Sequence, residues 1–225
     1  MKSSTFFLII FHLLISNTMI SQDWANLSHF DKENKKYIND GVHKNGIVFF
    51  GNSITQEWTN LSPEYFPGKP YINRGIGGQT TPQLLVRFRQ DVVQLKPKSV
   101  IILAGTNDVA GNTGECTNNM ILDNIKSMAE IALANDIQVM LCSILPVYDY
   151  SWKPGLEPAQ RIIDLNEGIK NICKELRLTY VDYFSRMVDE RNGLMDDYTY
   201  DGVHPDKNGY KVMESIIEES IKNLK

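Results

Sequence analysis

The sequence is poor in the residues that build metal sites and covalent frameworks. Three cysteines, Cys116, Cys142 and Cys173, and four histidines are spread over 225 residues. An odd cysteine count with no CxxC pair provides neither a disulfide framework nor a convincing metal cluster. Cys142 lies in an apolar strand-like run and Cys173 on the apolar face of a helical one, so both are expected to pack as small hydrophobes. Charge of one sign is lacking too. Lys+Arg number 23 against 27 Asp+Glu, a net charge of -4, which leaves no basic footprint for nucleic acid. Long apolar runs are also missing, and none approaches the roughly twenty residues of a membrane span.

The longest apolar run, Phe6 to Phe11 continuing through Leu13-Leu14-Ile15, follows Lys2 and precedes the small residue Ser21. That order predicts a signal peptide over residues 1–21 and export to the periplasm or the extracellular space, with no stable membrane insertion after cleavage. An uncleaved anchor helix is the competing reading. No cysteine follows the run, so a lipoprotein anchor is not expected. Residues 22–225 contain no repeat, low-complexity tract or Pro/Gly/Ser linker, and with 42% hydrophobic residues the chain can bury one core. They are expected to form a single domain.

A polar stretch through Lys44 leads into Ile47-Val48-Phe49-Phe50, a short apolar run closed by Gly51-Asn52. Further strand-like runs stand at Tyr71-Asn73, Ser99-Leu103, Gln138-Ser143 and Thr179-Val181. Between them, apolar residues recur at helical spacing: Leu85, Phe88, Val92, Leu95; Ile121, Ile125, Met128, Ala132; and Ile162, Leu165, Ile169, Ile172, Leu176. A last helical segment aligns Tyr210, Met213, Ile217 and Ile221. Strand alternating with helix predicts right-handed crossovers and a parallel sheet covered on both faces, a three-layer α/β/α sandwich. Ligands in such sheets gather beyond the carboxyl ends of the strands.

Four segments at those positions could carry chemistry. Gly51-Asn52-Ser53-Ile54-Thr55 follows the first run, and a serine on a strand-to-helix turn can present its hydroxyl as a nucleophile or simply cap the helix. Thr55 stands where a GxSxG elbow would have its last glycine. After the second run comes Arg74-Gly75-Ile76-Gly77-Gly78-Gln79-Thr80-Thr81-Pro82, a backbone able to approach a ligand closely. A phosphate loop competes, although the last glycine of GxGxxG and the Lys-Ser/Thr of a P-loop are missing. After the third run stands Gly105-Thr106-Asn107-Asp108. Asn107 can donate to an oxyanion without titrating, or the Asn-Asp pair can form a plain turn. Finally, Asp201-Gly202-Val203-His204-Pro205 precedes the last helix. Its three-residue offset can bring the Asp201 carboxylate to one ring nitrogen of His204 and leave the other for a hydroxyl; a solvated turn or a metal pair are the alternatives. Together these segments supply a nucleophile, a base, its orienting carboxylate and oxyanion donors, the parts of an acyl-transfer site.

These four blocks, in this order, resemble the SGNH (GDSL-type) hydrolase superfamily over nearly the whole chain from Ile47. The resemblance implies a flavodoxin-like, five-stranded parallel sheet and a carboxylic ester hydrolase that needs no cofactor or metal. It implies Ser53 as nucleophile, Asp201 and His204 as its partners, and an oxyanion hole of the Ser53 amide, Gly78 and Asn107. Two residues depart from the family pattern. Asn52 stands where Gly-Asp-Ser is usual, and Gln79 replaces an aspartate common in the second block. Both exchanges remove a charge and keep a similar hydrogen-bonding capacity. Export, together with the aromatic residues Trp58, Tyr148, Tyr150 and Trp152, leads us to expect a short-acyl ester as substrate, such as an O-acetyl group on a carbohydrate. A lysophospholipase or thioesterase for longer chains and a catalytically inactive carbohydrate-binding protein are the alternatives.

Overall fold

The computed structural model describes residues 23–40 and 46–224. The segment read as a signal peptide lies outside the described residues, as do His12 and His43.

Five parallel strands form one sheet in the order β2-β1-β3-β4-β5. They are β1 (Ile47–Gly51), β2 (Tyr71–Gly75), β3 (Ser99–Leu103), β4 (Gln138–Cys142) and β5 (Thr179–Val181). The eight α-helices among the described residues are α1 (Asp31–Asp40), α2 (Ser53–Leu61), α3 (Thr81–Asp91), α4 (Thr106–Val109), α5 (Asn118–Leu133), α6 (Ala159–Leu176), α7 (Phe184–Met187) and α8 (Lys207–Lys222). The architecture is the expected α/β/α sandwich, and the strand order is the flavodoxin-like one.

Alternation along the strands builds two separate cores, because successive side chains point to opposite faces. Val48, Phe50, Val100, Ile102, Val139 and Leu141 pack against Leu84 and Phe88 of α3, Ile125 of α5 and Leu165 of α6. Phe49, Ile101, Leu103, Met140 and Cys142 pack on the other face against Trp58 of α2 and Tyr210, Met213 and Ile217 of α8. β1 is buried along its whole length and pairs with β2 and β3 in continuous register, from Ile47↔Tyr71 and Ile47↔Ser99 to Gly51↔Gly75 and Gly51↔Leu103. The chain passes from β1 to β2 on one side and then crosses to β3 on the other, so the carboxyl end of β1 lies at the topological switch point where α/β sheets bind ligands.

Two local expectations are revised. Leu84, rather than Leu85, is fully buried on α3, which stops at Asp91; Val93–Leu95 continues as a separate 3₁₀ turn. The polar stretch before β1 contains α1, held by tertiary bonds: Asn34 Nδ2 donates to Asp91 Oδ1 at 2.7 Å, and Arg74 Nε donates to Asn34 Oδ1 at 3.0 Å.

Candidate active site

The turn from β1 into α2 is made by two neighbours of Ser53. A Cβ on Gly51 would stand 2.2 Å from Thr55 Oγ1 and 2.5 Å from Leu103 O, so only glycine lets the chain turn this tightly against β3. Asn52, 1% exposed, caps α2 by accepting from the Ile54 N–H at 3.3 Å. Ser53 is left half-buried at the helix N-terminus.

His204 reaches this serine from a turn before α8. Ser53 Oγ and His204 Nε2 are 3.0 Å apart, and His204 Nδ1 and Asp201 Oδ2 are 2.7 Å apart. Asp201 Oδ1 also accepts the backbone N–H groups of Val203 and His204, at 2.9 and 2.7 Å. Thr199 Oγ1 closes the turn, donating to the His204 carbonyl at 2.7 Å and accepting from Gly202 N at 2.9 Å. Burial would raise the Asp201 carboxyl, but its bonds from the His204 amide, the imidazole and the Val203 amide prevail and hold it below the usual carboxylate range. A carboxylate on Nδ1–H with Nε2 facing a hydroxyl is the arrangement in which an imidazole can take up a hydroxyl proton.

On the other side of Ser53 lies the loop after β2. Gly78 has φ 75°, a left-handed conformation suited to glycine, and an added Cβ there would meet no atom within 4 Å. Its carbonyl accepts from Asn112 Nδ2 at 3.2 Å. Gly77 N–H donates to Gln56 Oε1 at 2.5 Å. Asn107, 4% exposed, points across from α4 and donates through Nδ2 to Gln79 O at 3.0 Å. One Nδ2 hydrogen is thereby used, and an amide has two.

Beneath this loop is a buried polar network that sequence reasoning did not find. Arg87, fully buried, donates to Gln79 Oε1 (2.5 Å), Asp91 Oδ2 (3.0 Å), Gly51 O (2.8 Å) and Arg74 O (2.9 Å). Its guanidinium also lies 4.2 Å from the centre of the Phe50 ring. One cation thus joins the loops after β1 and β2. Gln79 Nε2 donates to Ala25 O at 2.7 Å, so both ends of its amide are engaged. An aspartate could accept from Arg87 but could not donate to Ala25, which gives the departure at this position a physical reason. Asp108, next to Asn107, accepts Thr81 N–H at 3.0 Å and Thr81 Oγ1–H at 2.6 Å, and burial pushes its carboxyl up to about 6. It ties α4 to the start of α3. The available signal was an arginine at a core position of α3, between Leu84 and Phe88.

The four aromatic residues separate. Trp58 is 1% exposed, stacks on Tyr65 with ring centroids 5.4 Å apart, and donates to Glu214 Oε1. It sits one turn after Ile54 on the buried face of α2 and is a core residue. Tyr150 is fully buried, with its hydroxyl donating to Thr106 O at 2.8 Å. Neither is presented to a ligand, which corrects the expectation for both. Tyr148 is exposed, with the Arg191 guanidinium over its ring. Trp152 is exposed, and its ring centre is 6.1 Å from that of His204. Tyr200, not singled out from the sequence, stacks on His204 at 5.8 Å. His29 lies in the N-terminal segment, edge-on to Phe30. Among the described residues no group of three or more His, Cys, Asp or Glu could hold a metal ion, and no helix is long and apolar enough to cross a membrane.

The fold and the order of the four blocks are those of the SGNH hydrolases. The GDSL-like lipase/acylhydrolase family model matches residues 49–212, and the chain belongs to this family of hydrolases acting on esters. A candidate acylhydrolase from Bacteroides fragilis is 43% identical, with a TM-score of 0.85 over 91% of this chain and 100% of that one. A GDSL-like lipase from Bacteroides thetaiotaomicron is 42% identical, with a TM-score of 0.82 over 89% of this chain and 98% of that one. An uncharacterized lipoprotein of Bacillus subtilis, YqeF, is 31% identical over 140 residues, covering 54% of this chain and 58% of that protein. The chain thus spans little more than half the length of this curated relative.

Proposed function

We propose that this protein is an exported esterase that hydrolyses short-acyl esters, chiefly acetyl esters of carbohydrates, with Ser53 as nucleophile, His204 as base and Asp201 as its orienting partner. The observation that carries this reading is the unbroken Ser53–His204–Asp201 chain of 3.0 and 2.7 Å at the switch point of the sheet.

In the first step Ser53 Oγ bonds to the ester carbonyl carbon while its proton passes to His204 Nε2. The resulting oxyanion accepts from the Ser53 and Gly78 amides and from the second Nδ2 hydrogen of Asn107. When the tetrahedral intermediate collapses, the bond to the alcohol oxygen breaks and the Nε2 proton goes to that oxygen. Water then attacks the acyl-enzyme, again losing its proton to Nε2, and the Ser53 hydroxyl is regenerated. Asp201 holds the Nδ1–H tautomer and stabilises the imidazolium formed in each half-reaction. No step calls for a metal or an organic cofactor.

The small size of the cavity that adjoins the nucleophile turn supports short acyl groups. The cavity adjoining the nucleophile turn, lined by Asn52, Ile54, Leu103, Ala104, Thr106, Ile144 and Leu145, has a volume of about 10 Å³. Each buried methylene is worth about 0.8 kcal/mol only where a trough can receive it. The test is kcat/KM for one alcohol carrying acetyl, butyryl, octanoyl and palmitoyl groups. The acetyl ester is expected to be fastest; rates that climb with length would replace this reading with a lysophospholipase or thioesterase. Absence of hydrolysis across the panel would leave a binding protein on the same fold. Residues 1–21 as a cleaved leader complete the proposal, and the mass of the secreted chain checks it.

A further inference from the structure

Among the described residues several large aromatic rings are interior: Trp58, Tyr65, Tyr150, Tyr183 and Tyr210 are each at most 5% exposed. Two that are not stand beside one side chain. Tyr200 is 56% exposed and Trp152 is 47% exposed. Their ring centres lie 5.8 and 6.1 Å from that of His204, at interplanar angles of 10° and 36°.

Both rings are held in place. The Tyr200 hydroxyl donates to Glu57 Oε2 at 2.7 Å, and Glu57 is one turn beyond Ser53 on α2, so the ring is fixed between the base and the nucleophile's own helix. Trp152 sits between two anchors. On one side Tyr150 is tied through its hydroxyl to Thr106; on the other, Lys153 Nζ donates to Ala110 O at 2.9 Å. Asp149 closes the loop by accepting from Tyr150 N at 2.9 Å and Gly155 N at 2.6 Å. Exposed rings that the fold immobilises have lost little further freedom to give up on binding, which is what a recognition surface requires.

The position of these rings relates them to one part of an ester. His204 Nε2 is the atom that returns a proton to the departing alcohol, so the alcohol, and not the acyl group, must lie against the imidazole and its neighbours. Resting on the proposed esterase activity, we infer that Tyr200 and Trp152 form the alcohol subsite and that it takes a sugar ring. A pyranose has a face of C–H bonds that covers an aromatic ring and a rim of hydroxyls that needs acceptors. Glu57 supplies an acceptor at the edge of Tyr200, since no described residue engages its second carboxylate oxygen. A lipid alcohol would use the rings and leave that carboxylate facing an alkyl chain. Tyr200 and Trp152 are therefore specificity-determining residues.

The test compares three acetate esters, mono-O-acetylated xylotriose, benzyl acetate and methyl acetate, in the wild type and in Tyr200→Ala, Trp152→Ala and Trp152→Phe. The readout is the ratio of kcat/KM for the sugar ester to that for methyl acetate. Each alanine variant is expected to lower this ratio about tenfold, mainly through KM, and Trp152→Phe to restore most of it. Parallel losses on all three esters would make the rings mere supports of His204 and overturn the inference. A fall in the benzyl-to-methyl ratio with the sugar ratio unmoved would overturn the sugar assignment. Titration calorimetry of Ser53→Ala protein with deacetylated xylotriose separates this inference from the esterase proposal. Binding that disappears in Ser53→Ala/Trp152→Ala supports the subsite even if no ester is cleaved, and absence of binding together with an unmoved kinetic ratio overturns it.

Discussion

The two sides of Ser53 are built by different means. On the histidine side, six residues from Thr199 to His204 fold on themselves, with Asp201 and Thr199 accepting and donating within the turn, and the surface is partly open. On the Gly78–Asn107 side nothing is local. Arg87 joins Gly51, Arg74 and Gln79, while Asp108 grips Thr81 and Asn107 bonds to Gln79, all of them buried. The contrast teaches that one side can depend on a short turn placed by a single helix, whereas the other depends on the packing of three loops. Substitutions should then act on chemistry in the first region and on chemistry and folding together in the second.

The sharpest test is in the first region. Ser53→Ala and His204→Ala are each expected to lower kcat/KM for an acetate ester by about 10⁴- to 10⁶-fold, with unchanged far-UV circular dichroism and little change in melting temperature. The double variant should lose little more than either single one, because both remove the same proton-coupled attack. A Ser53→Ala protein turning over near the wild-type rate would dissolve the comparison.

Next comes Arg87→Met, which leaves Asp91 charged and buried without its cation. The expected cost is about 3–5 kcal/mol, seen as a fall of about 10 °C in melting temperature. Replacing Asp91 by leucine in the same chain should recover part of the loss. Asn107→Ala belongs to both categories. Turnover is expected to fall about 100- to 1000-fold with a smaller change in KM, and the lost bond to Gln79 to cost about 1 kcal/mol by denaturant titration. If only stability changed, Asn107 would belong wholly to the buried scaffold.

The smallest expected effect is a dependence on pH that differs in sign between the two sides. Asp201 is held below its ordinary range, so its contribution to stability is present above about pH 4 and fades as pH falls through its folded value. Asp108 is pushed up to about 6 by burial, so its contribution is full below about pH 4 and is lost as pH rises through 6. Comparing melting temperatures of wild type and Asp108→Asn from pH 4 to 7 isolates the second term. The advantage of wild type over the variant should shrink by about 2–3 kcal/mol across that window. An advantage that is constant with pH would show that Asp108 does not change charge there.

What could be read from the sequence follows the same division. β1, β3 and β4 are visible as short apolar runs because they are buried almost throughout, whereas the edge strands β2 and β5 are only partly buried and give a weaker signal. The Asp201–His204 pair is visible because its geometry is contained in four residues. Arg87 and Gln79 carry no local signal, since their partners are set by strand order. Helix α1 escaped detection because it is mostly polar and owes its place to Asn34, Asp91 and Arg74. Trp58 reads as substrate-binding from its place after the nucleophile turn, although its spacing from Ile54, four positions, already puts both on one face of a helix. Tyr200 was passed over beside the Asp-x-x-His pair, where its role depends on which way a turn faces.

The separation of 151 positions between Ser53 and His204 also sets an order of events for a chain being synthesised. β1 is central in the sheet, yet its pairing with β3 and the Tyr210 hydroxyl bond to Ile54 O must wait for residues made much later. Such long-range parallel pairing is slow to form. A nascent chain that has reached only α6 therefore carries Ser53 with no imidazole beside it. Until α8 has been made and has docked, the turn that presents His204 has nothing to anchor it, so arrested or truncated products are expected to expose an inert serine.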